Sequence, residues 1–189
     1  EHLHNHHGER SMVVLRPADA EDTIAAWKIA LEEQRPVALI LSRQNIKNLP
    51  TLSASRRDEA MQCQKGAYIV MDSAKPKVVM IATGSEVATL VEGAELLKKE
   101  GISVRVVDVP SEGLFRDQPK SYQESVLPKD IIRYGMTSGL SINLRGLVGE
   151  NGKIHGCDHF GYSAPFKVLD EKFGYNGQTV YEEVKAMLK

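Results

Sequence analysis

Five apolar residues in a row, Val78, Val79, Met80, Ile81 and Ala82, constrain this chain more than any other feature. A strand with one wet face alternates between polar and apolar residues. A strand that is apolar throughout must be covered on both faces, and such strands belong to parallel sheets flanked by helices. The residues that follow complete the unit. Thr83 and Glu86 have capping-box spacing, so each side chain is expected to satisfy a backbone N–H at a helix start. Val87, Leu90, Val91, Ala94 and Leu97 then give a helix with one apolar face. Lys98 and Lys99 suit the helix C-terminus, and Gly101 ends it. Val104, Val106, Val107 and Val109 form the next strand, closed by Pro110. Residues 77–110 therefore read as a βαβ unit with a right-handed crossover. Asp108 stands where a dinucleotide fold keeps its ribose-binding acid. Only Gly84 stands in the turn, however, without a Gly-x-Gly-x-x-Gly or Gly-Lys-Ser/Thr sequence, so a plain scaffold role is the preferred reading.

The 189 residues allow one large or two small domains with ample core. A formal net charge of −1, without a long basic run, argues against a nucleic-acid or membrane-surface protein. No apolar run approaches the roughly 20 residues that cross a bilayer, and no signal peptide is evident. Cys63 and Cys157 make no disulfide framework, so a reducing, cytoplasmic setting is expected. Residues 1–11 carry His2, His4, His6 and His7 without a cysteine or an acidic cluster beside them. They read as a disordered or appended segment rather than a metal site.

Residues 12–16 make a short strand ended by Pro17, and Asp19 is placed to cap the helix that follows. Ile24, Trp27 and Leu31 share one face of that helix, which predicts a core position for Trp27. Residues 37–41, VALIL, predict a buried strand. Residues 46–65 turn polar and read as an interdomain linker, with Arg56 and Arg57 solvated. Residues 66–71 predict an edge strand of a second domain. Further on, residues 121–127 and 140–148 are helix-compatible, and residues 131–134 and 153–157 are strands. Ser163 and Pro165 suit the start of a helix whose apolar face is Phe166, Leu169 and Phe173. A last helix starts at Gln178 or Thr179 and buries Val180, Val184, Met187 and Leu188.

Arg43 follows directly on the 37–41 strand, within Ser42-Arg43-Gln44-Asn45. The carboxyl end of an interior parallel strand opens into the crevice where open α/β sheets bind ligands. The planar fork of an arginine suits a phosphate or carboxylate there. Position alone leaves a surface salt bridge equally open.

The segments RPADAEDTIAAWKIAL, PVALILSRQN, KVVMIATGSEV, VVDVPS and HFGYSAP, in this order, resemble the last third of a transketolase, from Met12 to the C-terminus. Deoxyxylulose-phosphate synthases and the β subunits of 2-oxo acid dehydrogenases share the domain plan, but SRQN is transketolase-like. The resemblance implies an α/β fold. Residues 12–45 would be the last βαβ piece of a pyrimidine-binding domain, 46–65 a linker, and 66–189 a three-layer, mainly parallel C-terminal domain. It also implies an enzyme that moves a two-carbon ketol unit between sugar phosphates in the pentose phosphate pathway, as a homodimer, with thiamine diphosphate and Mg2+ or Ca2+. Arg43 matches the family arginine that contacts the substrate phosphate. The chain departs from the family pattern in lacking a Gly-Asp-Gly sequence. The activating glutamate, the stacking aromatic and the channel histidines lie further upstream in the family. The chain is therefore expected to be an inactive fragment with no catalytic, cofactor or metal residue of its own. A non-catalytic dimerisation or regulatory module is the alternative.

Two other signals are weighed and set aside. Gly161-Tyr162-Ser163-Ala164-Pro165 begins like a nucleophile elbow, but Pro165 replaces the final glycine. Cys157 and His159 lie two apart without an evident third group to orient them, so packing is expected for both.

Overall fold

The computed structural model describes residues 11–189; the N-terminal histidines lie outside the described residues. Strand β4 (Val78–Ala82) is buried at all five positions. It pairs in parallel with β5 (Val104–Asp108) on one side and β6 (Ile132–Met136) on the other. Val78, Met80 and Ala82 join one core cluster while Val79 and Ile81 join the opposite one. An unbroken apolar run is what such a central strand requires. Strand β7 (Lys153–His155) extends the parallel sheet beyond β6. Strand β3 (Tyr68–Met71) closes the other edge, antiparallel to β5, giving the order β3-β5-β4-β6-β7.

Helices cover both faces. On one face lie α3 (Glu86–Lys99) and α8 (Gly177–Met187), contributing Val87, Leu90, Ala94, Leu97, Val180 and Val184. The two helices approach closely at Gly93, where a Cβ would lie 2.4 Å from Val180 Cγ1. On the other face lie α4 (Glu112–Arg116), α5 (Lys120–Val126) and α6 (Ile142–Val148), contributing Phe115, Val126, Leu144 and Leu147. The result is the three-layer, mainly parallel α/β arrangement. No described helix is long and apolar enough to cross a membrane.

Ahead of this sheet stands a smaller unit. Strands β1 (Val13–Leu15) and β2 (Val37–Leu39) pair in parallel, joined through α1 (Ala20–Glu32), which Asp19 caps by accepting from Asp22 N. Here the apolar stripe of α1 departs from expectation. Trp27 is 53% exposed and Leu31 82%, while the inward face carries Asp22, Ala25 and Ala26. The side of α1 that meets the rest of the chain is claimed by a polar cluster, which turns the stripe outward. Strand β2 is likewise only half-buried, with Ile40 and Leu41 exposed, because it has a single neighbouring strand.

That cluster corrects the reading of Arg56. The residue opens α2 (Arg56–Ala60), which runs into a 3-10 turn (Met61–Lys65). Its Nε donates to Asp19 at 2.8 Å, and its Nη2 donates to Asp22 at 2.7 Å and to the Tyr68 hydroxyl at 2.8 Å. Tyr68 in turn donates to Asp22 at 2.6 Å. Arg57 keeps the exposed position, paired with Glu21. Asp108 is buried in the same place, with no donor to either carboxylate oxygen. Burial first, then the charge of Asp22, pushes its carboxyl well above the usual range. As a protonated acid it can donate to Asp22. Burial opposes the ionisation of Asp22, but that bond and the Arg56 charge outweigh it and lower the Asp22 pKa. Burial, then Asp22 and Asp108, likewise push up the thiol of Cys63, which stays protonated.

Two helix starts also differ from expectation. Helix α3 begins after Ser85 without a side-chain cap, because Thr83 Oγ1 donates to Arg16 O at 3.5 Å and Glu86 pairs with Arg16. Helix α7 (Phe166–Phe173) follows Pro165 without a cap from Ser163, and none of its residues is buried. Phe173 packs instead on the rings of His159 and Tyr162 in an exposed loop. For α8 the cap is Asn176, which accepts from Thr179 N.

His155 ties β7 to α8. Its Nε2 lies 2.8 Å from Phe173 O and its Nδ1 3.3 Å from Glu183 Oε2. Both partners are acceptors, so only the imidazolium satisfies both. The Glu183 bond raises the His155 pKa above its ordinary value. Burial works against the ionised Glu183, but the bonds from His155, Lys153 and Tyr134 prevail and bring its pKa to about 2.

Two outcomes follow for stability. Arg56→Ala strands two buried aspartates and should cost about 3 kcal/mol in chemical denaturation. A loss under about 0.5 kcal/mol would show that Arg56 is a surface group. The raised His155 pKa means stability that is fully present below its unfolded pKa and lost as pH rises through the folded one. Glu183→Gln should therefore lower Tm more at pH 5 than at pH 9. An equal drop at both would leave the imidazolium without a role.

Candidate functional site

A cleft of about 510 Å³ lies where the end of β2 meets the start of α3 and helix α7. The chain leaving β2 forms one wall with Ser42, Arg43 and Gln44, and Arg16, Glu86 and Asp170 form others. Strand β2 ends here because Ile40 N makes its last rung to Leu15 O, at 2.9 Å. The next residues leave the sheet and present their side chains to the opening.

The charges of this cleft are mostly paired. Arg16 Nη2 lies 2.7 Å from Glu86 Oε2, and Lys47 Nζ lies 3.2 Å from Glu92 Oε1. Burial raises the Asp170 carboxyl and so disfavours its negative charge. Arg43 is exposed and makes no ion pair among the described residues. Its five donors are thus open to an anion. The wall can bind and orient a phosphate or carboxylate.

The other sequence candidates fall elsewhere. Asp108 is enclosed by Asp22, Tyr68 and Arg56, so it cannot reach a ribose in solvent, which rules out the dinucleotide reading of that position. Cys157 Sγ lies 4.0 Å from His159 Nδ1, which sits 2.9 Å from Phe160 O. Among the described residues no carboxylate is hydrogen-bonded to that imidazole. Ser163 lies on an exposed loop without the strand-to-helix turn of a nucleophile elbow.

Arg16 was missed by the sequence reading. It follows a strand just as Arg43 does, and the same positional rule would have found it.

The β4–α3 turn does not offer a cradle for a diphosphate. At the β4–α3 turn Gly84 has φ 67°, and a Cβ there would lie 2.7 Å from Arg16 Nε. The place a diphosphate would take at this helix N-terminus is filled by an arginine side chain. No group of three or more His, Cys, Asp or Glu among the described residues could hold a metal ion.

Comparison with known proteins bears on this geometry. Residues 66–176 match the family described as transketolase-like TK C-terminal domain. A transketolase of Geobacillus stearothermophilus is 39% identical over 192 residues, covering all of this chain and 28% of its own length. A Pichia stipitis transketolase, crystallised in complex with sedoheptulose-7-phosphate, superposes with a TM-score of 0.86 at 27% identity, over 98% of this chain and 26% of that one. A structure described as a split gene transketolase, inactive β4 tetramer, superposes with a TM-score of 0.70 at 26% identity, over 95% of this chain and 59% of that one. The chain thus spans little more than a quarter of the Geobacillus and Pichia proteins. The matched domain and the full-chain likeness together make this chain a member of the transketolase family, carrying its C-terminal domain.

Proposed function

We propose that this chain is the C-terminal part of a transketolase that transfers a two-carbon ketol unit from a ketose phosphate to an aldose phosphate. In this reading residues 12–45 are the end of the pyrimidine-binding domain, 46–65 the connection and 66–189 the C-terminal domain. Arg43 grips the substrate phosphate. The observation that carries the reading is an exposed arginine at a strand end, facing a cleft whose other cations are paired. Support also comes from the relative crystallised with a sugar phosphate.

The role of Arg43 is to bind and orient. A bidentate pair with the phosphate fixes one end of the sugar, so the carbonyl end is held at the reacting centre. Thiamine diphosphate with a divalent cation supplies carbanion stabilisation, and it is held by residues outside this chain. The full-length protein works as a homodimer. A split-gene relative described as inactive accords with a chain that needs the rest of the protein.

In the full-length enzyme, Arg43→Ala should raise KM for phosphorylated substrates about 100-fold, the worth of a charge-assisted bidentate contact. KM for unphosphorylated sugars should stay within about twofold of the starting value. Equal loss on both would remove the phosphate grip. This chain alone, given thiamine diphosphate, magnesium and sugar phosphates, should show no turnover; measurable transfer would overturn its reading as a partial enzyme.

A further inference from the structure

We infer that Arg16 is a positioning residue for Arg43, through which the five-stranded sheet sets the geometry of the phosphate grip; this rests on the reading of Arg43 proposed above. The loops after all three central parallel strands converge on Arg16. After β4, Thr83 Oγ1 donates to Arg16 O at 3.5 Å, and a Cβ on Gly84 would lie 2.7 Å from Arg16 Nε. After β5, Pro110 O accepts from Arg16 N at 2.8 Å. After β6, Ser138 Oγ accepts from Arg16 Nη2 at 3.1 Å. The same nitrogen lies 2.7 Å from Glu86 Oε2 in the first turn of α3, where Glu86 is buried.

The crevice at the carboxyl ends of strands whose connections run to opposite faces is the ordinary ligand place of an open parallel sheet. Here β4 leads to α3 on one face, and β6 leads to α6 on the other. The protein's own Arg16 lines that crevice, which keeps a cavity of about 290 Å³ bordered also by Thr83, Pro110 and Thr137. What Arg16 tethers there is β1. Strand β1 carries β2 through the Val13↔Val37, Val14↔Ala38 and Leu15↔Leu39 register and through the Ile40 N to Leu15 O bond. Arg43 lies three residues past that bond, about 10 Å along an extended chain. A two-stranded sheet is too weak to hold such a point by itself. The larger sheet helps to hold it, and at this end of β1 it does so through Arg16.

Glu86 sets the charge roles. It neutralises Arg16, so the substrate anion meets Arg43 rather than two competing cations. Arg16 and Arg43 wall the same cleft with different duties.

The test is a double-mutant cycle in the full-length enzyme, with each variant assayed on a ketose phosphate and on an unphosphorylated ketose. Arg16→Ala should raise KM for the phosphorylated sugar roughly tenfold with kcat little changed. It should leave KM for the unphosphorylated sugar unaltered. In the Arg43→Ala background the same change should have no further effect on the phosphorylated sugar, because Arg16 acts only through Arg43. Arg16→Lys, which keeps the Glu86 pair, should recover part of the loss, and it serves if Arg16→Ala does not fold. Equal losses on both sugars, or additive losses in the double variant, would overturn the positioning role. If Arg43→Ala leaves the phosphate preference intact, the grip itself fails and the inference falls with it. If Arg43→Ala removes the preference and neither Arg16 variant changes it, the positioning inference alone is wrong.

Discussion

A guanidinium buried among carboxylates joins the two parts of this chain. Arg56 leaves a short helix and bonds at once to Asp19 at the start of α1, Asp22 within it and Tyr68 on the edge strand. Asp19 spends its oxygens fully: one caps α1, and the other accepts from Arg56 and from Leu49 N at 2.9 Å. Charges removed from water in this way are costly unless each finds a partner. The arrangement is therefore intolerant of displacement, which is what a junction between a two-stranded unit and a five-stranded sheet needs. Asp108 deepens the constraint. It adds a third acid to a pocket with one cation, and the misfit is relieved by keeping it protonated beside Asp22.

The second junction lies at the same, carboxyl end of the parallel strands, where Arg16 N donates to Pro110 O just beyond Asp108. The Arg56 cluster fixes where α1 sits on the sheet; Arg16 fixes where β1 ends. With both in place the segment leaving β2 has little freedom, and Arg43 projects into a cleft from a supported base. In the proposed reading this gives the C-terminal domain a task in supporting the grip. On the proposal made above for Arg43, it is a platform for an anion-binding arm that belongs to the neighbouring unit. Preorganisation of that kind reduces what the substrate must spend on ordering the site.

Sequence periodicity revealed what depends on local pattern. The unbroken apolar run of β4, the amphipathic α3 and the edge strand β3 each carry their burial in their own residues. Arg43 was visible because a strand end and a planar cation are both local facts. What escaped was set by distant partners. Arg56 looks solvated beside Arg57 until Asp19 and Asp22, more than thirty residues away, are brought to it. The same cluster reverses α1, so Trp27 points outward from a helix whose pattern reads as core. Thr83 and Glu86 have capping-box spacing, yet both turn to Arg16, some 70 residues earlier. In each case a long-range polar contact overrode a local rule.

The central claim is that the strand-end arginine of β2 holds the anionic end of the substrate. A crystal structure of the full-length enzyme with a bound ketose phosphate tests it most directly. Arg43 should meet the phosphate through two N–H···O contacts of about 2.8 Å, while Arg16 remains on Glu86 and Ser138. A phosphate seated on other residues, with Arg43 turned from the cleft and paired to a protein carboxylate, would contradict the account.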